Sequence, residues 1–379
     1  MGYSSLSTFD SDFVSTITEM ALKKGAIDLA GSYAIHDSSL RWSEEVCNDE
    51  TQQQNCYIPY YGLQQLREQI SVQGATTRVH RYNPETEITI TSGIHQCLFA
   101  TMTAVLREGD EVILFEPANE AYLSNILLSG ARPVYISLQE PGFTVDWEQV
   151  TRMITPDTRM IIISTPHNPT GAVFNELDML RLQKIINGTN IIVLSDESNE
   201  FLLANELDHQ SVTMYPKIAE HSVIINSFEG LCDANWSVAY CAAPVAVSNK
   251  IRQVLRITGE ALYSPLQQAL ANCLADQKKC RAVREQFMKK KAQFIKIMED
   301  RTKFTAVEGF GTAFQLFDYG NLSDENSKDF ALRMLDEAGV AVAPYSAFYH
   351  EKQKKTLLRF NLARPQQMLM EAIEKLSRF

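Results

Sequence analysis

R-M-I-I-I-S-T-P-H-N-P-T-G, residues 159–171, decides how the rest of the chain is read. Its first half is a continuous apolar run with no polar alternation, which predicts a strand buried on both faces of a mainly parallel sheet. Its second half, from Thr165 to Gly171, is rich in Pro and Asn and closes on Gly, residue types that fix a turn. In open sheets of this kind, ligands bind beyond the carboxyl ends of the strands, so this loop faces a site.

The same texture repeats on either side. E-I-T-I-T at 87–91 ends at Ser92-Gly93, and a helical pattern runs from His95 through Leu106. Further strand-like runs lie at 111–115, 190–195, 222–227 and 238–243. Buried strands alternating with helices predict an α/β domain with a mainly parallel, doubly wound sheet. After about Ser264 the texture changes. A charged helix spans 277–300, short strands fall near 304–318, 340–343 and 356–361, and helices at 325–338 and 365–377. The expected division is an N-terminal arm with part of a small domain (1–44), a large domain (45–280) and a smaller α+β domain (281–379). The K-K-K at 289–291 reads as a solvated helix face.

Bulk properties narrow the partners. A formal net charge of −11 without a basic stripe disfavours nucleic acid and anionic membranes. No apolar run approaches the roughly 18 residues of a membrane span. The start has no secretory pattern, and seven cysteines without a CxxC fit reduced thiols, so a cytoplasmic protein without a metal is expected.

The residues that follow the predicted strands form a set. Asn55 to Arg67 carries N-x-Y-x-P-x-x-G-x-x-x-L-R, 164–171 reads S-T-P-H-N-P-T-G, 195–197 reads S-D-E, 311–314 reads G-T-A-F and 358–363 reads L-R-F-N-L-A. In that order, these motifs resemble the class I/II aminotransferases, pyridoxal-phosphate (PLP) enzymes of fold type I, and within them the kynurenine/methionine aminotransferase branch. The resemblance implies roles. Asn168 stands where a residue hydrogen-bonds the cofactor's ring oxygen, and Asp196 where a carboxylate pairs with the pyridine nitrogen. Arg359 stands where a guanidinium holds the substrate carboxylate by two prongs. Tyr57 stands where a tyrosine crosses a dimer interface to the partner's cofactor phosphate, which implies a homodimer.

I-N-S-F-E-G-L-C-D-A-N-W-S-V-A-Y at 225–240 departs from the pattern. Anchored on Trp236 and Tyr240, it places Glu229 at the family's Schiff-base lysine and Ser237 at its phosphate-binding Arg/Lys. Asn199 replaces the tyrosine that shares the ring oxygen, Asn119 the ring that stacks on the cofactor, and Ser32-Tyr33-Ala34 the N-terminal G-F-P. A carboxylate cannot form an imine, and a buried phosphate without a cation costs several kcal/mol. These losses predict weak or absent PLP binding. The expected function is an atypical enzyme acting on an amino acid or other small carboxylate, in one form independent of PLP. Glu229 and His95 are its acid–base candidates, Arg359 is its carboxylate holder, and Tyr33, Asn119 and Asn199 are substrate-side residues. The alternatives are a catalytically dead binding or regulatory protein and a protein that holds PLP non-covalently.

Overall fold

The computed structural model describes residues 13–35, 58–77, 80–203, 209–231, 236–259, 262–309 and 311–379. Its strands are β1 (Ile27–Asp28), β2 (Ile88–Ser92), β3 (Glu111–Glu116), β4 (Arg132–Ser137), β5 (Thr158–Ser164), β6 (Ile192–Asp196), β7 (Ser222–Ser227) and β8 (Val238–Ala242), followed by β9 (Thr305–Ala306), β10 (Phe314–Asp318), β11 (Val340–Ala341), β12 (Ala343–Pro344) and β13 (Leu357–Asn361).

Seven strands form the main sheet in the order β2-β8-β7-β6-β5-β3-β4. From β7 through β4 all neighbours are parallel. Strand β8 runs antiparallel to both of its neighbours. The link from β7 to β8 is too short for a helical crossover, so the chain turns back on itself there. Successive residues of β3, β5 and β6 feed opposite faces. Ile113, Phe115, Ile161, Ile163 and Val193 pack into one apolar cluster, and Val112, Leu114, Met160, Ile162 and Leu194 pack into another. Burial on both faces is what the uninterrupted apolar runs require. This is the α/β arrangement of PLP-dependent fold type I that the motifs imply.

The strand β4 was not visible as a strand in the sequence. It carries Pro133, pairs only with β3 and is largely half-exposed, as expected of an edge. The helix expected from His95 begins at Gly93, whose φ of 72° lets the chain swing directly from β2 into the helix Gly93–Val105.

A second, four-stranded antiparallel sheet has the order β12-β13-β10-β9. The N-terminal segment joins this C-terminal layer. Strand β1 pairs in parallel with β11. The helix Phe13–Lys24 buries Val14, Ile17 and Ala21 in one cluster with Phe294, Phe317, Phe330 and Phe360. The long helix Gln277–Arg301 corrects the reading of K-K-K. Lys289 is exposed, but Lys290 is 9% and Lys291 3% exposed. They lie three and four residues after the buried Phe287, on the same inward stripe.

Candidate functional site

The carboxyl ends of β3, β5, β6 and β7 open onto a cavity of about 630 Å³. Tyr33, His95, Asn119, Asn168, Asn199 and Glu229 all line it. The structure therefore brings together residues that the sequence spreads over nearly two hundred positions. Asp196 and Arg359 are buried. Tyr57 lies outside the described residues. No lysine or arginine is among the lining side chains.

Asp196 closes β6. Its Oδ1 accepts from the Ser198 amide at 3.0 Å and the Ser198 hydroxyl at 2.6 Å. The Tyr122 hydroxyl donates to its Oδ2. Burial nevertheless raises the Asp196 pKa above the usual carboxylate range. Burial, and then the Asp196 charge, push the Tyr122 hydroxyl well up, so it stays a donor. Neither Tyr122 nor Ser198 was found from the sequence. The available signal was that Tyr122 sits three residues after Asn119 on a helix that starts at a strand end.

Arg359, on β13, is 1% exposed. Its Nη1 donates to Asn168 Oδ1 at 3.0 Å, and its Nη2 to the Ala30 carbonyl at 2.6 Å and Ser32 Oγ at 3.2 Å. The guanidinium lies 4.2 Å from the Phe314 ring centre and 4.8 Å from that of Phe348. Its plane is thus fixed before any ligand arrives. The loop carrying Asn168 is equally set. The Gly171 amide donates to the His167 carbonyl at 2.8 Å, and His167 Nδ1 lies 2.8 Å from Thr170 Oγ1. Burial holds the His167 pKa down at about 4, so it is neutral.

The substrate-side candidates have structural duties as well. Asn119 Oδ1 caps the helix Glu120–Leu128 by accepting from the Ala121 amide at 3.0 Å. The Tyr33 hydroxyl donates to Asp28 Oδ2 at 2.6 Å. Asn199 opens the short 3₁₀ turn Glu200–Leu202. Behind it, His209 Nε2 bridges Glu197 Oε2 at 3.2 Å and Glu200 Oε2 at 3.4 Å. Glu200 Oε1 in turn accepts from Asn226 Nδ2 at 2.6 Å. Burial opposes the charge on His209, but its hydrogen bonds to Glu197 and Glu200 prevail and raise its pKa to about 9.

Glu229 follows β7 in the turn 228–231. Burial first, then the charge of Asp196, raise its carboxyl to about 7. Ser237 takes a φ of 45°. Its hydroxyl stands 3.2 Å from where a Cβ on Gly93 would lie, so the space over the start of the helix Gly93–Val105 depends on that glycine. A helix start offers free amide donors to an anion.

The aminotransferase class I and II family model matches residues 24–376. The chain belongs to the class I and II aminotransferases. It is 32% identical over 363 residues to the methionine aminotransferase of Escherichia coli K12, covering 95% of this chain and 94% of that one. An Escherichia coli crystal structure identified with a methionine aminotransferase function superposes with a TM-score of 0.92 at 30% identity, covering 100% of both chains. The N-succinyldiaminopimelate aminotransferase structure from Mycobacterium tuberculosis gives 0.93 at 26% identity, again over 100% of both.

This membership corrects the expectation that PLP is weakly bound or absent. The relatives are aminotransferases over the whole chain, which points to PLP as the cofactor of this class I/II member too. The donor set fits the group. By the resemblance, Asp196 would meet the pyridine nitrogen and Asn168 the ring oxygen. The helix start at Gly93, with the Ser237 hydroxyl beside it, would present neutral donors to a phosphate. Backbone donors of a helix start bind anions without a lysine, a contribution that a count of side-chain cations omits.

Proposed function

We propose that this aminotransferase-family protein acts on an amino acid or other small carboxylate, with PLP held non-covalently and Glu229 as its acid–base group. The observation that carries this reading is Glu229 itself. It is a cavity-lining carboxyl, raised to about 7, and the motif alignment anchored on Trp236 and Tyr240 puts it at the family's lysine position. A general acid–base group works best with a pKa near the operating pH, and this carboxyl can both take and return a proton there. Bound PLP would supply an electron sink. The residues of the chain would do the rest. Arg359, fixed by Asn168, Ala30 and Ser32, would hold the carboxylate. Asp196 would hold a proton at the ring nitrogen. His95, which lines the same cavity, would be a second proton carrier within the site. Methionine is the first amino acid to test, because a relative over 95% of the chain is a methionine aminotransferase. The reading includes a cytoplasmic homodimer, with Tyr57 reaching the partner's cofactor.

The test is α-proton exchange of L-methionine in deuterated buffer with added PLP, followed by NMR. Wild type exchanges, and Glu229→Gln slows exchange by about two orders of magnitude or more. Exchange by E229Q at the wild-type rate removes Glu229 from the chemistry. Borohydride treatment with PLP separates the binding modes. It leaves wild type without a covalent adduct at position 229, whereas Glu229→Lys acquires one. A wild-type adduct on another residue overturns the non-covalent reading.

A further inference from the structure

We infer that Lys290 and Lys291 are positioning residues for the carboxylate site, their buried ammonium groups fixing the two chain segments that clamp Arg359. This rests on the reading of Arg359 as the carboxylate holder. Lys291 Nζ donates to the carbonyls of Thr312 at 3.1 Å and Phe314 at 3.0 Å. That turn brings the Phe314 ring to 4.2 Å from the guanidinium. Lys290 Nζ donates to the Arg364 carbonyl at 2.7 Å. Arg364 donates to the carbonyls of Asp28 at 2.8 Å and Gly31 at 3.2 Å, and to that of Tyr33. The segment so held supplies Ala30 O and Ser32 Oγ, which orient Arg359 from the other side. Two adjacent side chains of one helix therefore hold both jaws of the clamp.

An ammonium is a costly way to satisfy neutral carbonyls in the interior, where an uncharged donor would serve the same oxygens with less desolvation. Burial alone lowers the Lys291 pKa, to about 8. A positive charge held on the Phe314 carbonyl, next to the Phe314–Arg359 pair, is useful if an anion binds at that pair. It is a burden if Lys291 only ties down a turn.

The experiment measures binding of hexanoate and of its neutral counterpart hexanamide by calorimetry. It uses full-length wild type, Lys291→Met, Lys291→Gln, Lys290→Met and Arg359→Gln. The two Lys291 variants are expected to weaken hexanoate about tenfold while hexanamide changes less than about twofold. Lys290→Met is expected to act in the same direction. If K291Q binds hexanoate as wild type does while R359Q loses it, the inference fails and the Arg359 reading stands. If R359Q keeps wild-type hexanoate binding, that reading fails and takes the inference with it. Equal weakening of both probes marks Lys291 as a general structural residue and overturns the positioning role. So does failure of every lysine variant to fold.

Discussion

At the scale of single residues, Glu229 carries a charge balance that is measurable without any substrate. Its carboxyl is raised from 4.5 to about 7, chiefly by burial. A raised carboxyl stabilises the fold fully below pH 4.5, and that contribution is lost as pH climbs through about 7. Above pH 8 the ionised group is a liability that Glu229→Gln removes. Urea denaturation is expected to find E229Q more stable than wild type by on the order of 2 kcal/mol at pH 8, with the gap closing toward pH 5. A gap independent of pH would mean that Glu229 titrates normally. Asn168, Asp196 and Arg359 were legible because each sits in a motif at the end of a strand or within one. Tyr122, Phe348 and Arg364 were not. Tyr122 reaches the site from a helix, Phe348 from the 3₁₀ turn Tyr345–Phe348 and Arg364 from the bend after β13, and no local pattern announces a partner 74 residues away, as for Tyr122 and Asp196.

At the scale of elements, the buried strands were readable because both faces are apolar and the runs have no competing helical period. The edge strand β4 has neither property, and its identity comes only from its neighbour β3. The K-K-K stretch misled for a related reason. Composition suggests solvent, whereas the 3.6-residue period rotates two of the three lysines onto the stripe of Phe287 and Phe294. Contact between elements sets another strict demand at Gly62, which holds φ at 104°, where a Cβ would lie 2.2 Å from Ile90 Cγ1. Gly62→Ala would drive the segment before the helix Gln64–Thr77 off β2. It is expected to cost roughly 3 kcal/mol or more, read as a lower thermal midpoint. A melting curve equal to wild type would show that this segment can move away from β2 freely.

At the scale of the whole molecule, polar contacts join the two layers. His350 Nδ1 lies 2.8 Å from Glu116 Oε2, the Ala118 amide donates to the Phe348 carbonyl at 2.8 Å, and Lys355 reaches Glu140 at 2.7 Å. The N-terminal segment belongs to the far layer through β1 and the helix Phe13–Lys24. Deleting residues 1–24 uncovers the pocket of Val14, Ile17 and Ala21, a loss expected to be about 3–6 kcal/mol from apolar burial alone. Chemical denaturation of the deletion variant checks it, and an unchanged midpoint would show that this helix adds nothing to the fold. The overall likeness to aminotransferase structures was legible in the order of motifs.

The pairing of β1 with β11, and of Ala30 with Arg359, has a consequence for the order of events in the cell. A ribosome delivers Ile27 more than three hundred residues before its partner Val340. Until residues from Phe294 onward follow, the first helix lacks the partners that cover its apolar stripe in the folded chain, while the strands of the main sheet are already made. The clamp around Arg359 is therefore among the last parts of the molecule to exist. Its formation closes one of the longest loops in the chain, the slow kind of step in which a nascent protein is open to aggregation and to capture by chaperones.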